Sequence, residues 1–136
     1  MYRVYNTMFN TMIPKILIVD DDPDIVIMFK QAYKNELENQ VFDFAFCFST
    51  EEALNFLEIS NEPRLILILS DINMPGRNGL ELLREIKSKG TEIPVYLFTA
   101  FDDDNNRMVA ERLKVDKYIS KPIDFHQLKK DIFNLL

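Results

Sequence analysis

Short apolar runs alternate with segments of helical periodicity along most of the chain. Five such pairs can be traced, and the runs that predict strands are Ile16–Val19, Val41–Phe48, Leu65–Leu69, Val95–Phe98 and Tyr118–Ile119. Each run is followed by apolar residues spaced three and four apart, which is typical of one buried helix face. Strands that alternate with helices form a parallel sheet covered by helices on both faces. The pattern therefore predicts an α/β domain with a doubly wound, five-stranded parallel sheet.

The predicted strands differ in how deeply we expect them to be buried. Leu65–Leu69 consists of five consecutive aliphatic residues, which is typical of a strand in the middle of a parallel sheet. In Val41–Phe48 every second residue from Phe42 onward is phenylalanine, whereas the charged Asp43 lies on the opposite side. The second strand is therefore predicted to lie at an edge of the sheet.

The predicted helices are marked by their apolar faces and by capping residues. The face predicted for the first helix, which begins near Pro23, consists of Ile25, Met28, Phe29 and Ala32. Ser49 and Glu52 predict a capping box before the second helix. Asp124 with Gln127 predicts a cap for the last helix, which extends to Leu136.

The fourth predicted helix, Asp103–Leu113, is mostly polar. Only Val109 and Leu113 have the spacing of buried residues. A helix with few apolar contacts opens more easily than its neighbours. We therefore expect this helix to be the least firmly anchored one.

Composition and charge narrow the class of protein. The chain has 136 residues, of which 47% are hydrophobic and 28% charged, and this is typical of one globular domain. Its 16 basic and 22 acidic residues give a net charge of -6, which argues against binding to nucleic acid or to an anionic membrane. No run approaches the roughly 20 apolar residues of a membrane span, and residues 1–12 lack the apolar stretch of a signal peptide. With its lone Cys47 compatible with a reducing compartment, the protein is expected to be cytoplasmic.

Chemically useful side chains follow four of the five predicted strands. They are Asp20, Asp21 and Asp22 after the first strand, Asp71 after the third, Thr99 after the fourth and Lys121 after the fifth. Each has an ordinary explanation by itself, such as a helix cap or a turn, but the carboxyl ends of parallel strands meet at one edge. Clustered carboxylates without histidine or cysteine favour Mg²⁺. A hydroxyl and an ammonium group beside that ion would complete a cradle for a phosphoryl group.

The motifs at these strand ends resemble those of the receiver domains of two-component response regulators. The matching stretches are Ile16–Asp21, Ser70–Gly76 with Gly79, Phe98–Ala100 and Tyr118–Pro122. The resemblance covers Lys15 to Leu136 and implies a flavodoxin-like (βα)5 fold with strand order 2-1-3-4-5. It divides the chain into a receiver domain of residues 14–136 and an N-terminal extension of residues 1–13, which we expect to be flexible. Because no output domain follows, a stand-alone receiver similar to chemotaxis regulators is expected.

The resemblance implies how these residues would accept a phosphoryl group. Asp71 would be the phosphoacceptor for a sensor histidine kinase or a histidine phosphotransfer protein. Asp21, Asp71 and the backbone carbonyl of Asn73 would bind Mg²⁺ directly, and Asp20 would act on the metal through a water molecule. Lys121 would pair with a phosphoryl oxygen. The protein would then be a self-phosphorylating acceptor with at most slow autophosphatase activity, and not a turnover enzyme.

The resemblance also implies a conformational switch. Thr99 would move toward the phosphoryl group, and Tyr118 would follow it inward. This movement would change the surface of the fourth helix, the fifth strand and the fifth helix, where an unidentified downstream protein would bind. The bond between Lys121 and Pro122 is expected to be cis.

A few residues depart from the family pattern or need a separate comment. Lys114 stands where the family usually has glycine, and a left-handed conformation there would cost about 1 kcal/mol. Phe101, two residues beyond Thr99, is bulky enough to shield an acyl phosphate from water. The extension before Pro14 has no counterpart in a minimal receiver, and its apolar side chains could dock on a neighbour. His126 is the only histidine, which argues against a histidine metal site.

Two alternative interpretations stay open. Ile18–Asp22 superficially resembles the Asp-x-Asp motif of haloacid-dehalogenase-like phosphohydrolases, with Asp20 as the nucleophile. Asp24 stands where threonine or valine is usual, and no later acidic metal motif follows. The second alternative is a phosphorylation-independent interaction module on the same fold. Its sign would be the loss of a site residue such as Asp71 or Lys121, and both are present.

Overall fold

The computed structural model describes residues 13–60 and 62–136, and its centre is a five-stranded parallel sheet. The strands are β1 (Lys15–Val19), β2 (Asp43–Cys47), β3 (Leu65–Asp71), β4 (Val95–Thr99) and β5 (Lys117–Ser120). Their order in the sheet is β2-β1-β3-β4-β5, which confirms the predicted order and places β2 at an edge. After β1 the chain forms β2 on one side of β1 and then β3 on its other side, so the strand order reverses between β1 and β3. A crevice forms at such a point, beyond the carboxyl ends of the two strands.

Among the described residues, five helices of nine residues or more flank the sheet. They are α1 (Asp24–Ala32), α2 (Thr50–Ser60), α3 (Gly79–Ser88), α4 (Asp104–Arg112) and α5 (Phe125–Leu135). A short helical segment, Lys34–Glu38, follows α1 after a break at Tyr33, and the sequence pattern did not predict it. Within the part of the chain that the structure describes, none of the helices combines the length and the apolar character needed to span a bilayer. The predicted extension lies in residues 1–12, outside the described part, and in Ile13.

Two apolar layers hold the helices against opposite faces of the sheet. One layer packs α2, α3 and α4 against the sheet, and the other packs α1 and α5. The central strand β3 contributes to both, with Ile68 in the first layer and Leu67 and Leu69 in the second. This arrangement confirms the two-sided burial that the aliphatic run predicts, because alternate side chains of a strand point to opposite faces.

Two of the four residues predicted to form the buried face of α1 are exposed, so that half of the prediction is wrong. Ile25 and Phe29 are buried as expected, whereas Met28 is 46% exposed and Ala32 is also exposed. The helix ends at Ala32, and Tyr33 beyond it is completely buried. The Tyr33 ring packs against Phe29 and other aromatic rings, and its hydroxyl donates a hydrogen bond to the backbone of the α5 region. The buried stripe therefore follows a spacing of four residues and is narrower than predicted.

The edge strand β2 carries its aromatic residues on one side, as predicted. The ring centres of Phe42 and Phe44 are 5.5 Å apart, and those of Phe44 and Phe46 are 5.8 Å apart. Phe48 lies beyond the end of the strand and is exposed, so the aromatic stripe is shorter than the predicted run. Cys47 is buried, and burial raises the pKa of its thiol to about 11, which makes it an inert packing residue.

The predicted caps are present, with one difference in detail. The N–H of Glu52 donates to Oγ of Ser49 at 3.0 Å, and that of Gln127 donates to Oδ1 of Asp124 at 3.1 Å. The Glu52 carboxylate accepts from the N–H of Phe48, one residue earlier than a capping box requires. This bond links the residue after β2 to the first turn of α2.

Helix α4 is anchored by a single completely buried residue, Ala110. Val109 and Leu113, the residues predicted to be buried, are half-buried and pack against the edge of the first apolar layer. The chain leaves the helix through Lys114, whose φ of +64° is left-handed. Lys114 thus adopts the left-handed conformation that was considered for it, and the helix does not end in another way.

Candidate functional site

Three carboxylates meet in the crevice between β1 and β3. Asp20 and Asp21 follow β1, and Asp71 is the last residue of β3. One carboxylate oxygen from each of the three residues lies within 4.8 Å of the others. Asp20 and Asp71 are only 2% and 5% exposed, whereas Asp21 is exposed, so the cluster opens to solvent on one side. The convergence expected from the strand ends is thus present.

Burial raises the pKa values of the two inner carboxyl groups. The pKa of Asp20 rises to about 6, chiefly because of burial, although the N–H of Asp22 donates to its Oδ1 at 3.0 Å. Burial also raises the pKa of Asp71, against the opposing influence of Lys121. The negative charge of Asp71 adds to the shift of Asp20. Two buried carboxylates therefore disfavour each other's ionised form, and a nearby cation would relieve this repulsion.

Lys121 supplies one positive charge to this cluster. Its Nζ lies 3.5 Å from Oδ2 of Asp71 and 3.7 Å from Oδ2 of Asp20. The backbone N–H of Lys121 donates to the carbonyl oxygen of Thr99 at 2.8 Å, and the peptide bond to Pro122 is cis, as expected. The side chain is therefore held between the two buried carboxylates.

Asn73 connects Asp71, at the end of β3, with Thr99, and the sequence pattern does not predict this contact. The backbone N–H of Asn73 donates to Oδ1 of Asp71 at 3.3 Å. Its side-chain Nδ2 donates to Oγ1 of Thr99 at 2.9 Å. The completely buried Thr99 hydroxyl also accepts from the N–H of Phe101 at 3.1 Å and donates to the carbonyl oxygen of Phe101 at 3.2 Å. Thr99 thus belongs to the site through Asn73, and no hydrogen bond joins it to Asp71 among the described residues.

Two further residues shape the loop after β3. The N–H of Gly79 donates to the carbonyl oxygen of Ile72 at 2.9 Å, which closes the loop. The buried hydroxyl of Thr50 donates to the carbonyl oxygen of Arg77 at 2.9 Å and fastens the loop to the start of α2. The sequence signal for the first contact is the Asn-Gly pair at the start of α3, and the sequence pattern does not predict the second contact.

Tyr118 lies apart from the carboxylates, on β5. Its ring packs against the edge of the first apolar layer, and its hydroxyl is buried without a hydrogen-bond partner in residues 13–60 and 62–136. The guanidinium carbon of Arg107 lies 4.4 Å from the centre of the ring. Arg107 donates to Oδ2 of Asp102 at 2.9 Å, and the same oxygen accepts from the hydroxyl of Ser120 at 2.8 Å. Tyr118 thus lies beside a polar network that joins α4 to β5.

A cavity of about 470 Å³ opens beside the carboxylates. Its lining includes Asp20 and Lys121 on the polar side and Met28, Ala100 and Phe125 on the apolar side. Phe101, near the same loop, is 70% exposed and extends into solvent instead of covering Asp71. The site is therefore accessible to another molecule.

The residues present fit a magnesium ion. The cluster consists of carboxylate oxygens alone, and Asn73, whose backbone carbonyl could add a further oxygen ligand, lies two residues after Asp71. Mg²⁺ prefers such oxygen ligands and retains several waters, for which the exposed side of the cluster leaves room. His126 lies on the exposed side of α5, away from the cluster.

Comparisons with known proteins agree with this geometry. The family model of the response regulator receiver domain matches residues 16–133. The transcriptional regulatory protein AruR of Pseudomonas aeruginosa is 32% identical over 125 residues, and the match covers 92% of this chain and 50% of that protein. The chain thus spans about half the length of this relative.

Solved structures show the same fold. A CheY-like response regulator receiver domain protein from Methanospirillum hungatei is 28% identical, with a TM-score of 0.78 and coverage of 90% of this chain and 92% of that one. The BeF3-activated receiver domain of DrrB is 25% identical, with a TM-score of 0.73 and coverage of 91% and 97%.

Proposed function

The chain belongs to the response regulator receiver domain family, and from this premise we propose that it accepts a phosphoryl group on Asp71. The donor would be the phosphohistidine of a sensor histidine kinase or of a histidine phosphotransfer protein. The observation that carries the proposal is the position of Lys121, whose Nζ lies 3.5 Å from Oδ2 of Asp71 inside a cluster of three carboxylates. The proposal includes the cytoplasmic location expected from the sequence.

The transfer exchanges one phosphorus bond for another. A carboxylate oxygen of Asp71 attacks the phosphorus atom, the P–N bond to the donor imidazole breaks, and an acyl phosphate forms. The imidazole nitrogen keeps the electron pair and takes up a proton. Lys121 binds a phosphoryl oxygen and offsets the negative charge that gathers on it. Mg²⁺, held by Asp20, Asp21, Asp71 and the carbonyl of Asn73, would neutralise further charge on the acceptor and the phosphoryl group.

In this proposal phosphorylation then changes the charge at Asp71, and Thr99 and Tyr118 respond to that change. The phosphoryl group adds roughly -1.5 to -2 charges at neutral pH. In this proposal Thr99 turns its hydroxyl toward the phosphoryl group, and Tyr118 moves inward behind it. Helix α4 follows easily because it has a single completely buried residue. The altered surface of α4, β5 and α5 is where a downstream protein would bind.

The first experiment is an intact-mass measurement after incubation with acetyl phosphate and Mg²⁺. We expect one added phosphoryl group on the unmodified protein and none on Asp71→Asn. Asp104→Asn is the matched control, because Asp104 is an exposed aspartate in the first turn of α4. Loss of uptake on removal of Mg²⁺ would support the proposed role of the metal.

The other outcomes distinguish the alternatives. A phosphoryl group on Asp20, or multiple turnovers on a phosphomonoester, would favour a haloacid-dehalogenase-like phosphohydrolase. If the protein neither takes up phosphate nor binds beryllofluoride with Mg²⁺, the phosphorylation-independent interaction module is favoured instead. We expect each chain to accept a single phosphoryl group, as an acceptor and not as a turnover enzyme.

A further inference from the structure

The hydroxyl group of Thr99 has no free hydrogen-bonding capacity in this structure. A hydroxyl can donate one hydrogen bond and accept two. Thr99 donates to the carbonyl oxygen of Phe101 and accepts from the N–H of Phe101 and from Nδ2 of Asn73. All three positions are therefore filled by the protein itself.

This saturation opposes the movement required by the proposed function. To donate to a phosphoryl oxygen on Asp71, Thr99 must give up its bond to the Phe101 carbonyl. Because Thr99 is completely buried, water cannot readily replace a hydrogen bond that its hydroxyl gives up. Asn73 bonds Thr99 through its side-chain amide, which can turn to solvent because the residue is exposed, whereas Phe101 bonds Thr99 through its backbone groups.

We propose that the side chain of Asn73 is a positioning residue that holds Thr99 in its unphosphorylated orientation and sets how readily the switch responds. This inference rests on the proposed function. Asn73 is suited to the role because its backbone N–H donates to Oδ1 of Asp71, while its side chain bonds Thr99. Because one residue makes both bonds, a shift of the Asn73 backbone at Asp71 also moves the side chain that bonds the Thr99 hydroxyl.

The substitution Asn73→Ala tests the role, because it removes the amide and keeps the backbone N–H and carbonyl. The first measurement uses the unphosphorylated protein and determines the rotamer populations of Thr99 from NMR scalar couplings. We expect one dominant Thr99 rotamer in the unmodified protein and a roughly fivefold larger minor population in Asn73→Ala, the effect of one ordinary hydrogen bond. Asn105→Ala, at an exposed asparagine of α4, should behave like the unmodified protein. An unchanged Thr99 rotamer in Asn73→Ala would overturn the inference.

The second measurement is a double-mutant cycle with Thr99→Ala, in which beryllofluoride with Mg²⁺ is titrated as a phosphoryl mimic. Asn73→Ala should tighten binding roughly fivefold in the normal background, because less restraint opposes the turn of Thr99. In the Thr99→Ala background the same substitution should have no effect. An equal effect in both backgrounds would show that Asn73 acts on the metal instead of on Thr99. Failure of the unmodified protein to bind the mimic would count against the proposed function, whereas the rotamer measurement would still decide this inference.

Discussion

Gly79 approaches the main chain of Asp71 so closely that a Cβ atom on Gly79 would lie 2.1 Å from the Asp71 carbonyl oxygen. The hydroxyl of Ser70 donates to the same carbonyl oxygen at 2.9 Å. The first residue of α3 is therefore packed directly against the strand end that carries the proposed acceptor. Any side chain at this position must displace backbone, which cannot yield as a flexible side chain can.

The substitution Gly79→Ala should displace Asp71 and lower both stability and metal binding. Overpacking of this kind costs about 1–3 kcal/mol of unfolding free energy, and misplacing a metal ligand lowers Mg²⁺ affinity about tenfold or more. Gly90→Ala is the control, because Gly90 has a φ of +71° but open space around it. It should lose about 1 kcal/mol through backbone strain and keep its Mg²⁺ affinity. Denaturant unfolding and Mg²⁺ titration measure both effects, and normal Mg²⁺ affinity in Gly79→Ala would contradict the expectation.

Replacement of Lys121 by alanine should impair phosphoryl uptake without unfolding the protein. The ammonium group is a positive charge in contact with Asp71, and removal of such a group from a reaction site slows reactions by about a hundredfold. Tyr118 should also keep its unphosphorylated NMR shifts when beryllofluoride and Mg²⁺ are added. Lys130→Ala, at an exposed lysine of α5, is the matched control. Uptake at the normal rate in Lys121→Ala would remove this residue from the proposed reaction.

Arg107 should restrain the ring of Tyr118 through the network that joins α4 to β5. Its guanidinium lies 4.4 Å from the ring centre and is held there by Asp102. In Arg107→Ala we expect shifted Tyr118 ring protons and faster ring flipping, both measurable by NMR. Asp102→Ala should give a smaller change of the same kind. Arg112→Ala, at an exposed arginine on the same helix, should leave the ring signals unchanged. Tyr118 ring signals in Arg107→Ala that equal those of the unmodified protein would contradict the proposed restraint.

Lys114→Gly should stabilise the protein. Lys114 has a φ of +64°, a region that glycine adopts without the steric cost of a Cβ atom. The expected gain in unfolding free energy is roughly 0.5–1 kcal/mol, since the greater entropy of glycine in the unfolded chain offsets part of the relief. Lys89→Gly provides the comparison, because Lys89 ends α3 with a φ of -84° and should gain nothing. Urea unfolding of both variants measures the difference.

Glu62 should make stability depend on pH in the acidic range. Hydrogen bonds from Arg64, including one of 2.6 Å from its Nε, lower the pKa of Glu62 to about 2, and Lys15 contributes from 3.7 Å. Because this pKa is below the unfolded value of 4.5, the stabilisation is complete above pH 4.5 and is lost as the pH falls toward 2.

The variant Glu62→Gln tests this dependence. It should lose about 1 kcal/mol of unfolding free energy at neutral pH, the range of a well-formed surface ion pair. The difference from the unmodified protein should shrink as the pH approaches 2. Glu58→Gln, at an exposed glutamate of α2, should show no such trend. A pH-independent difference for Glu62→Gln would mean that packing, not charge, is lost.

The strand ends of the site could be predicted from the sequence because sheet geometry alone brings them together. A short aliphatic run that stops at Asp20 or Asp71 marks both a buried strand and the edge where it emerges. Parallel neighbours emerge at the same edge, so Lys121 could be placed near the carboxylates without knowledge of any distance. The order of the strands was implied by the family resemblance, and the edge position of β2 by the charged Asp43 within its alternating pattern.

Contacts between side chains and distant backbone could not be predicted in this way. The hydrogen bond from Asn73 to Thr99 depends on the path of two loops, and neither residue type demands the other. Tyr33 lies past the end of α1, so helical periodicity does not extend to it, although it is more deeply buried than Met28. The close approach of Gly79 to the main chain of Asp71 could not be predicted either, because glycine has no side chain that contributes to a sequence pattern.

The position of Asp43 on the edge strand has a consequence for behaviour at high protein concentration. The N–H of Asp43 bonds inward to the carbonyl oxygen of Pro14, and its carboxylate accepts from the N–H of Phe44 at 2.8 Å. An open strand edge invites the backbone of another molecule to pair with it and can seed aggregation. Here a negative charge stands at that edge and fills one of its free donors. The charge of Asp43 thus disfavours pairing of this phenylalanine-rich strand with a second copy of the protein.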